Sequence, residues 1–297
     1  MITTVAGNGT LGYTGDTGPA TSATLNFPNG VASDASGNFY IADTGNHVIR
    51  LVIKISGLII TVAGTGTAGY TGDAGPATSA TLNLPSGVAL DALGNLYIAD
   101  TYNHVIRLVI KISGFITTMA GSGTLGYTGD AGPATSATLN FPNGVALDAL
   151  GNLYISDSNN HVIRLVTKIS GLITTVAGSR TLGYTGDTGP ATSATLRVPN
   201  GVALDALGNL YIADFFNQRI RVVDKLLLSS TPTSPPSIYP SSASPLVPQT
   251  RKSIPTAPKA PTAPKAPTAS KAPAARKAPT APTLQNLCSR NIRSRGQ

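Results

Sequence analysis

The segment His47-Val-Ile-Arg-Leu-Val-Ile-Lys54 alternates cleanly, with Ile49, Leu51 and Ile53 on one face and Arg50 and Lys54 on the other. A period of two is that of a β-strand. Three further short strands surround it. Gly30-Val-Ala-Ser-Asp34 is built of small residues, Asn38-Phe-Tyr-Ile-Ala-Asp43 is bulkier, and Leu58-Ile-Ile-Thr-Val-Ala63 follows the Ser56-Gly57 turn. Between the first two, Ala35-Ser36-Gly37 supplies a tight turn in which glycine takes the positive φ that other residues resist.

The same pattern recurs every 57 residues, at Tyr13, Tyr70, Tyr127 and Tyr184, at Pro28, Pro85, Pro142 and Pro199, and at Asp43, Asp100, Asp157 and Asp214. Four such units, near 7–63, 64–120, 121–177 and 178–224, predict an all-β chain in which each unit is a four-stranded antiparallel blade of a β-propeller. The small residues of the first strand suit the crowded position beside the axis. One unit alone would leave both sheet faces and an edge unsatisfied, so stacking on neighbours is what stabilises it. The ends are cut at complementary points. Ile2-Thr-Thr-Val-Ala6 matches a fourth strand with no blade before it, and the last unit stops after its third strand, Gln218-Arg-Ile-Arg-Val-Val223. Residues 1–6 are thus an orphan outer strand expected to complete the last blade and close the ring. The alternative is a piece of a longer array, whose open ends would leave edges for oligomerisation.

These residues resemble the NHL repeat family, in particular the long-loop units of bacterial and algal proteins and of teneurins. The motif stands here as Pro28-Asn-Gly-Val-Ala, Asp34, Gly37-Asn38, Tyr40-Ile-Ala-Asp43 and Asn46-His47-Val48-Ile-Arg50, and again 57 residues on. The resemblance covers residues 1 to about 224. It departs at Asn217-Gln218, where the other units have Asn-His, and in having four units where such propellers commonly have about six. It implies a binding platform in most members, RNA binding in some, and lyase or hydrolase activity in others.

Charge divides the chain. Residues 1–228 carry eleven Lys/Arg against thirteen Asp, and residues 229–297 carry ten Lys/Arg and no acidic residue, so the net +8 belongs to the tail. That tail is rich in Pro, Ala, Ser, Thr and Lys, with Lys-Ala-Pro-Thr-Ala-Pro units around Lys259 and Lys265. Such composition buries too little apolar surface to order itself and predicts disorder, with attraction to polyanions, nucleic acid included, as a second function class. The lone Cys288 excludes a disulfide framework and leaves the redox compartment open. Met1-Ile-Thr-Thr has neither a basic n-region nor an apolar h-region, so no secretory signal is expected, and no stretch reaches the ~20 apolar residues of a membrane span. Asn8-Gly9-Thr10 fits a glycosylation acceptor, weakly in that context.

Candidate sites lie where near-identical units differ. The pair before the Asn of the Asn-His motif is Thr44-Gly45, Thr101-Tyr102, Ser158-Asn159 and Phe215-Phe216 in turn. Tyr102, Phe215 and Phe216, with Thr44, Ser158 and Asn159, are therefore the expected contacts for a protein or small ligand on the loop face. The alternative is drift after recent duplication. The long loop Gly7 to Phe27 either is packed down by Tyr13 and Leu25 with Asp16 capping backbone amides, or joins three others in a ligand-holding rim. His47, His104 and His161 occur one per blade without a second His, Cys or Glu nearby, which is poor for a metal shell and suits a bond to the loop between strands two and three. Asp43, Asp100, Asp157 and Asp214 are expected to accept hydrogen bonds from the turn that follows. No catalytic constellation, metal site or cofactor is expected, because every Ser, His and Asp of interest is a repeated position. A non-enzymatic binding scaffold leads, a polyanion-binding protein follows, and a propeller lyase or hydrolase is disfavoured.

Overall fold

The computed structural model describes residues 1–225, and the expectations for the basic tail, its disorder and polyanion binding, lie outside them. The first blade holds β1 (Pro28–Ser33), β2 (Phe39–Asp43), β3 (Val48–Ile53) and β4 (Leu58–Ala63). The second holds β5 (Gly75–Pro76), β6 (Pro85–Leu90), β7 (Leu96–Asp100), β8 (Val105–Ile110) and β9 (Phe115–Ala120). The third repeats this as β10 (Gly132–Pro133), β11 (Pro142–Leu147), β12 (Leu153–Asp157), β13 (Val162–Val166) and β14 (Leu172–Ala177). The fourth has β15 (Pro199–Leu204), β16 (Leu210–Asp214) and β17 (Arg219–Val223). All pairings within the sheets are antiparallel, and the four sheets form the blades of a β-propeller. Among the described residues no helix is long and apolar enough to cross a membrane.

Local chemistry explains the hairpins. In the β1–β2 turn, Asp34 Oδ1 accepts the backbone N–H groups of Ser36 and Asn38 at 2.9 and 3.0 Å, and Gly37 takes a φ of 78°. The long loop does not use Asp16, which pairs with Arg50, as a cap. It runs back along the outer edge of its own blade, where Thr17 N–H donates to the Ile59 carbonyl and Ala20 N–H to that of Gly57, both at 2.8 Å. In the second and third blades the same segment is regular enough to count as β5 and β10, paired with β9 and β14. The outer edge of each complete blade is thereby covered, which removes an unpaired strand from solvent.

Blades stack through their faces. Tyr40, Ala42 and Ile49 of the first blade pack with Val88, Leu96 and Ile98 of the second, and equivalent clusters join the second to the third and the third to the fourth. The innermost strands approach most closely. A Cβ on Gly30, Gly87 or Gly144 would stand 2.3, 2.2 or 2.3 Å from the Ser86, Asn143 or Asn200 carbonyl oxygen of the next blade. The small residues read beside the axis are there because backbone meets backbone.

The ring does not close as the ends suggested. β1 packs on β6, β6 on β11 and β11 on β15, and no such packing joins β15 to β1. Residues 1–6 carry no strand, and β17 pairs only with β16 among the described residues. The physical reason is that the fourth blade is not brought against the first, so Ile2–Ala6, whose Gly7 N–H is fixed to the Ala20 carbonyl at 2.9 Å, stays with the first blade and away from β17. Val31 at one end and Ile220 and Val222 at the other are exposed.

The seam predicts an asymmetry. Gly87→Ala, which drives a methyl into the Asn143 carbonyl, should lower stability by about 1–3 kcal/mol in thermal denaturation. Gly201→Ala should leave the melting temperature unchanged, because its nearest neighbour, Ala213 Cβ, is 3.8 Å away.

Candidate functional site

The alternation of β3 put Arg50 opposite Ile49, and both turn out to be buried, because a blade has neighbours on each face. Arg50, Arg107 and Arg164 are fully buried at 0% exposure. Each guanidinium reaches an aspartate of the long loop and the aspartate ending the second strand. Arg50 lies 2.7 Å from Asp16 and 3.4 Å from Asp43, Arg107 2.7 Å from Asp73 and 3.4 Å from Asp100, and Arg164 2.8 Å from Asp130 and 3.5 Å from Asp157. The ring of Tyr13, Tyr70 or Tyr127 lies within 4.8–5.2 Å of the guanidinium carbon, at cation–π distance. Tyr13 Oη also shares a 2.9 Å hydrogen bond with Thr61 of β4. One cation thus ties loop, second strand and third strand together.

The strand-end aspartates accept from the turn, as expected, and from the loop before the blade. Asp100 Oδ2 accepts Asn103 Nδ2–H at 2.8 Å, and Oδ1 accepts the Asn83 N–H at 2.7 Å. Burial nevertheless dominates and pushes Asp100 and Asp157 up to about 6, against the arginine and the amide donors that favour the charged form. Asp43 moves in the same direction for the same reason.

The histidines do not bond the loop between strands two and three. His47 takes a left-handed φ of 58° and its Nδ1 accepts the N–H of Leu84 in the next blade at 3.0 Å. His104 accepts from Phe141 and His161 from Val198, both at 3.2 Å. They are blade-to-blade fasteners and must be neutral at Nδ1, a form that burial also favours by lowering their pKa.

Three of the six expected contacts are also seam residues. Thr44 and Ser158 are buried, and their hydroxyls donate to the Pro85 and Pro199 carbonyls of the next blade at 2.7 and 2.6 Å. Their small size in the repeat reflects this bond rather than an open loop face. Tyr102 is half-buried, its ring meeting Phe141 edge-on at 4.8 Å. Asn159, Phe215 and Phe216 are exposed, the two phenylalanines in a T-shaped pair at 5.0 Å. Sequence reading missed the arginine node and the open groove of ≈ 720 Å³ beside β17, lined by Tyr184, Thr188, Ala191, Arg219 and Val222. The unmatched third strand was the available signal for the groove. Among the described residues no group of three His, Cys, Asp or Glu could hold a metal ion.

These features define a repeat propeller whose polar side chains are largely spent on holding blades and loops together. The NHL repeat model matches residues 25–50, 82–107, 139–164 and 196–223, and the chain belongs to the NHL-repeat family. It is similar to the Arabidopsis thaliana protein SUPPRESSOR OF QUENCHING 1, chloroplastic, with 31% identity over 75% of this chain and 22% of that protein. It is also similar to human NHL repeat-containing protein 2, with 30% identity over 68% of this chain and 31% of that one, and to mouse Teneurin-1, with 27% identity over 72% and 8%. The chain thus spans less than a third of the length of these relatives. Among solved structures it resembles a Bacteroides thetaiotaomicron protein of unknown function, with a TM-score of 0.55 at 22% identity over 66% of this chain and 46% of that one. An auxiliary nutrient binding protein from Bacteroides ovatus gives 0.50 at 18% identity, over 67% and 48%.

Two outcomes follow from these geometries. Arg107→Met leaves Asp100 buried without its cation and should cost about 3–5 kcal/mol at pH 7, less at pH 5 where Asp100 takes a proton, and Asp100→Asn should recover part of the loss. The histidines, with folded pKa values depressed below the usual ~6.5, contribute stability that is complete above that value and is lost as pH falls below it. Asp100 and Asp157 act oppositely, losing their contribution as pH rises through about 6. Comparing wild type with His47→Gln/His104→Gln/His161→Gln isolates the histidine part: acidification from pH 7.5 to 5 should lower the wild-type melting temperature more than the variant's.

Proposed function

We propose that this chain is a non-enzymatic binding scaffold that recognises a protein partner through the exposed loop tip of its fourth blade. The observation carrying the reading is the Phe215–Phe216 pair. It stands where the first three blades have Thr44, Thr101 and Ser158 followed by Gly45, Tyr102 and Asn159, and it is the place where the repeat is broken by large apolar groups in solvent. Aromatic groups exposed together on a rigid element are typical interface anchors. A short 3-10 helix, Phe215–Asn217, holds both, and Asn217 Nδ2–H is fixed to Asp214 at 2.8 Å.

The non-enzymatic part of the reading is supported by how the titratable groups are used. Asp43, Asp100 and Asp157 are engaged with arginine and amide donors, and each histidine is engaged with a backbone N–H. A general base needs a free, positioned lone pair, and these are occupied.

Phe215→Ala/Phe216→Ala should weaken capture of a protein partner by about thirtyfold or more while leaving the melting temperature within a degree of wild type. Cross-linking mass spectrometry on the captured complex should place the contacts around 159, 215 and 216. Capture at wild-type strength by the double variant would remove the reading.

A further inference from the structure

We propose that the partner is a second copy of this chain, joined head to tail, with its residues Ile2–Ala6 filling the fourth-strand position of the first copy's last blade, which no described residue occupies. The inference rests on the binding-scaffold reading and names its partner. In the three complete blades the fourth strand is held on one side by the third strand and on the other by the long loop. Ile59 in β4 accepts from Thr17 at 2.8 Å and donates to Gly18 at 3.0 Å. Ile116 and Ile173, in β9 and β14, accept from Ala74 and Ala131 at 2.8 and 2.7 Å. In the fourth blade β17 presents that edge, Thr188 and Ala191 stand where the loop donors should be, and the groove between them is open, with Ile220 71% and Val222 53% exposed.

The strands that fill this position read Ile59-Ile-Thr-Val-Ala63, Ile116-Thr-Thr-Met-Ala120 and Ile173-Thr-Thr-Val-Ala177. Ile2-Thr-Thr-Val-Ala6 has the same pattern, is exposed through Val5, and carries no strand of its own. Its junction with the first blade already has the required geometry: Gly7 N–H bonds the Ala20 carbonyl at 2.9 Å, just as Gly64 bonds Ala77 where β4 enters the second blade. A first blade seated on a fourth blade in the seam geometry therefore carries Ile2–Ala6 into the groove. The register follows from β3–β4, where Arg50 pairs with Thr61, Leu51 with Ile60 and Val52 with Ile59. Transferred to the fourth blade, it sets Arg221 against Thr4, Val222 against Thr3 and Val223 against Ile2. Tyr184, whose equivalents bond a threonine of the fourth strand, would then meet Thr4.

The two ends match at other points of the seam. Tyr102 meets Phe141 in the next blade at 4.8 Å, and the equivalent pair across two copies is Phe216 with Phe27, both in solvent at 45% and 63% exposure. His104 Nδ1 accepts from Phe141 N–H, and Gln218 stands in its place for Phe27 N–H. Gly201, free of the close contact that Gly30, Gly87 and Gly144 make, would receive the Asn29 carbonyl. Two residues depart from the pattern. Phe215 lacks the hydroxyl that bonds the next blade, and Arg219 stands where Val48, Val105 and Val162 are, its guanidinium 3.7 Å from the Tyr184 ring. Arg219 must turn out of the groove for a strand to enter. Such a contact is heterologous, so it closes as an eight-bladed dimer or continues as a filament, according to the rotation at each joint.

Sedimentation of the full chain over a range of concentrations should show species of twice the monomer mass or more. Thr4→Pro removes a strand N–H in an exposed segment, and Gly201→Leu blocks the seam where the single chain has room. Each should weaken association by about tenfold or more without lowering the melting temperature. In a Cys288→Ser background, chains carrying Thr3→Cys alone and Val222→Cys alone, once mixed, should be joined by a short bis-maleimide, with mass spectrometry assigning the bridge to 3 and 222. A monomer at every concentration, or association indifferent to both variants, would overturn the proposal. So would a bridge that forms only in a chain carrying both cysteines and is independent of dilution, which would be closure by the chain's own strand. If the chain is monomeric yet Phe215→Ala/Phe216→Ala still abolishes capture of another protein, the second-copy proposal fails and the scaffold reading survives.

Discussion

A buried arginine holds each of the first three blades of this propeller to its own loop. Arg50, Arg107 and Arg164 sit in full burial between two carboxylates and a tyrosine ring. A cation there is expensive to desolvate, and it is tolerated because the partners arrive from three segments of one unit. The long loop is thereby drawn back across the blade, where its next residues hydrogen-bond the fourth strand and cover the outer edge. In the fourth blade Arg221 makes the same ion pairs but is more exposed, since no fourth strand covers it among the described residues.

Blade-to-blade cohesion uses different groups. Apolar clusters supply most of the buried area, and a few directional bonds set the seam: a histidine Nδ1 accepting an N–H, and a hydroxyl of Thr44 or Ser158 donating to a carbonyl. Glycine at the innermost strand lets backbones meet. Because each blade needs the next to satisfy these groups, those at the two ends of the described run of blades find no such neighbour among the described residues. Exposed Phe27 and Val31 at one end, and Phe216, Ile220 and Val222 at the other, are the consequence.

Much of this was legible in the sequence. The 57-residue spacing, the turn glycines and the alternation of β3 lead directly to four blades, and all four strands of the first unit fall within two residues of their expected bounds. Candidate contacts were harder. Of the contacts that variation between repeats singled out, Phe215, Phe216 and Asn159 are exposed. That variation misled at Thr44 and Ser158, because a serine–threonine exchange in a seam preserves the hydroxyl and looks the same as tolerance at a surface. The histidines were expected to bond the loop between strands two and three, but their partners lie 37 residues on, in the next blade.

The sequence by itself determined the repeat, the strand order and the class of fold, since these depend on local periodicity and turn chemistry. Tertiary structure alone decided that Arg50 is buried, because alternation assigns a side chain to a face without saying what covers that face. It also decided that Ile2–Ala6 leaves the last blade unfilled. Matching strand patterns establish that two segments could pair, whereas pairing depends on whether blade stacking brings them together, and the first and fourth blades are not stacked on each other.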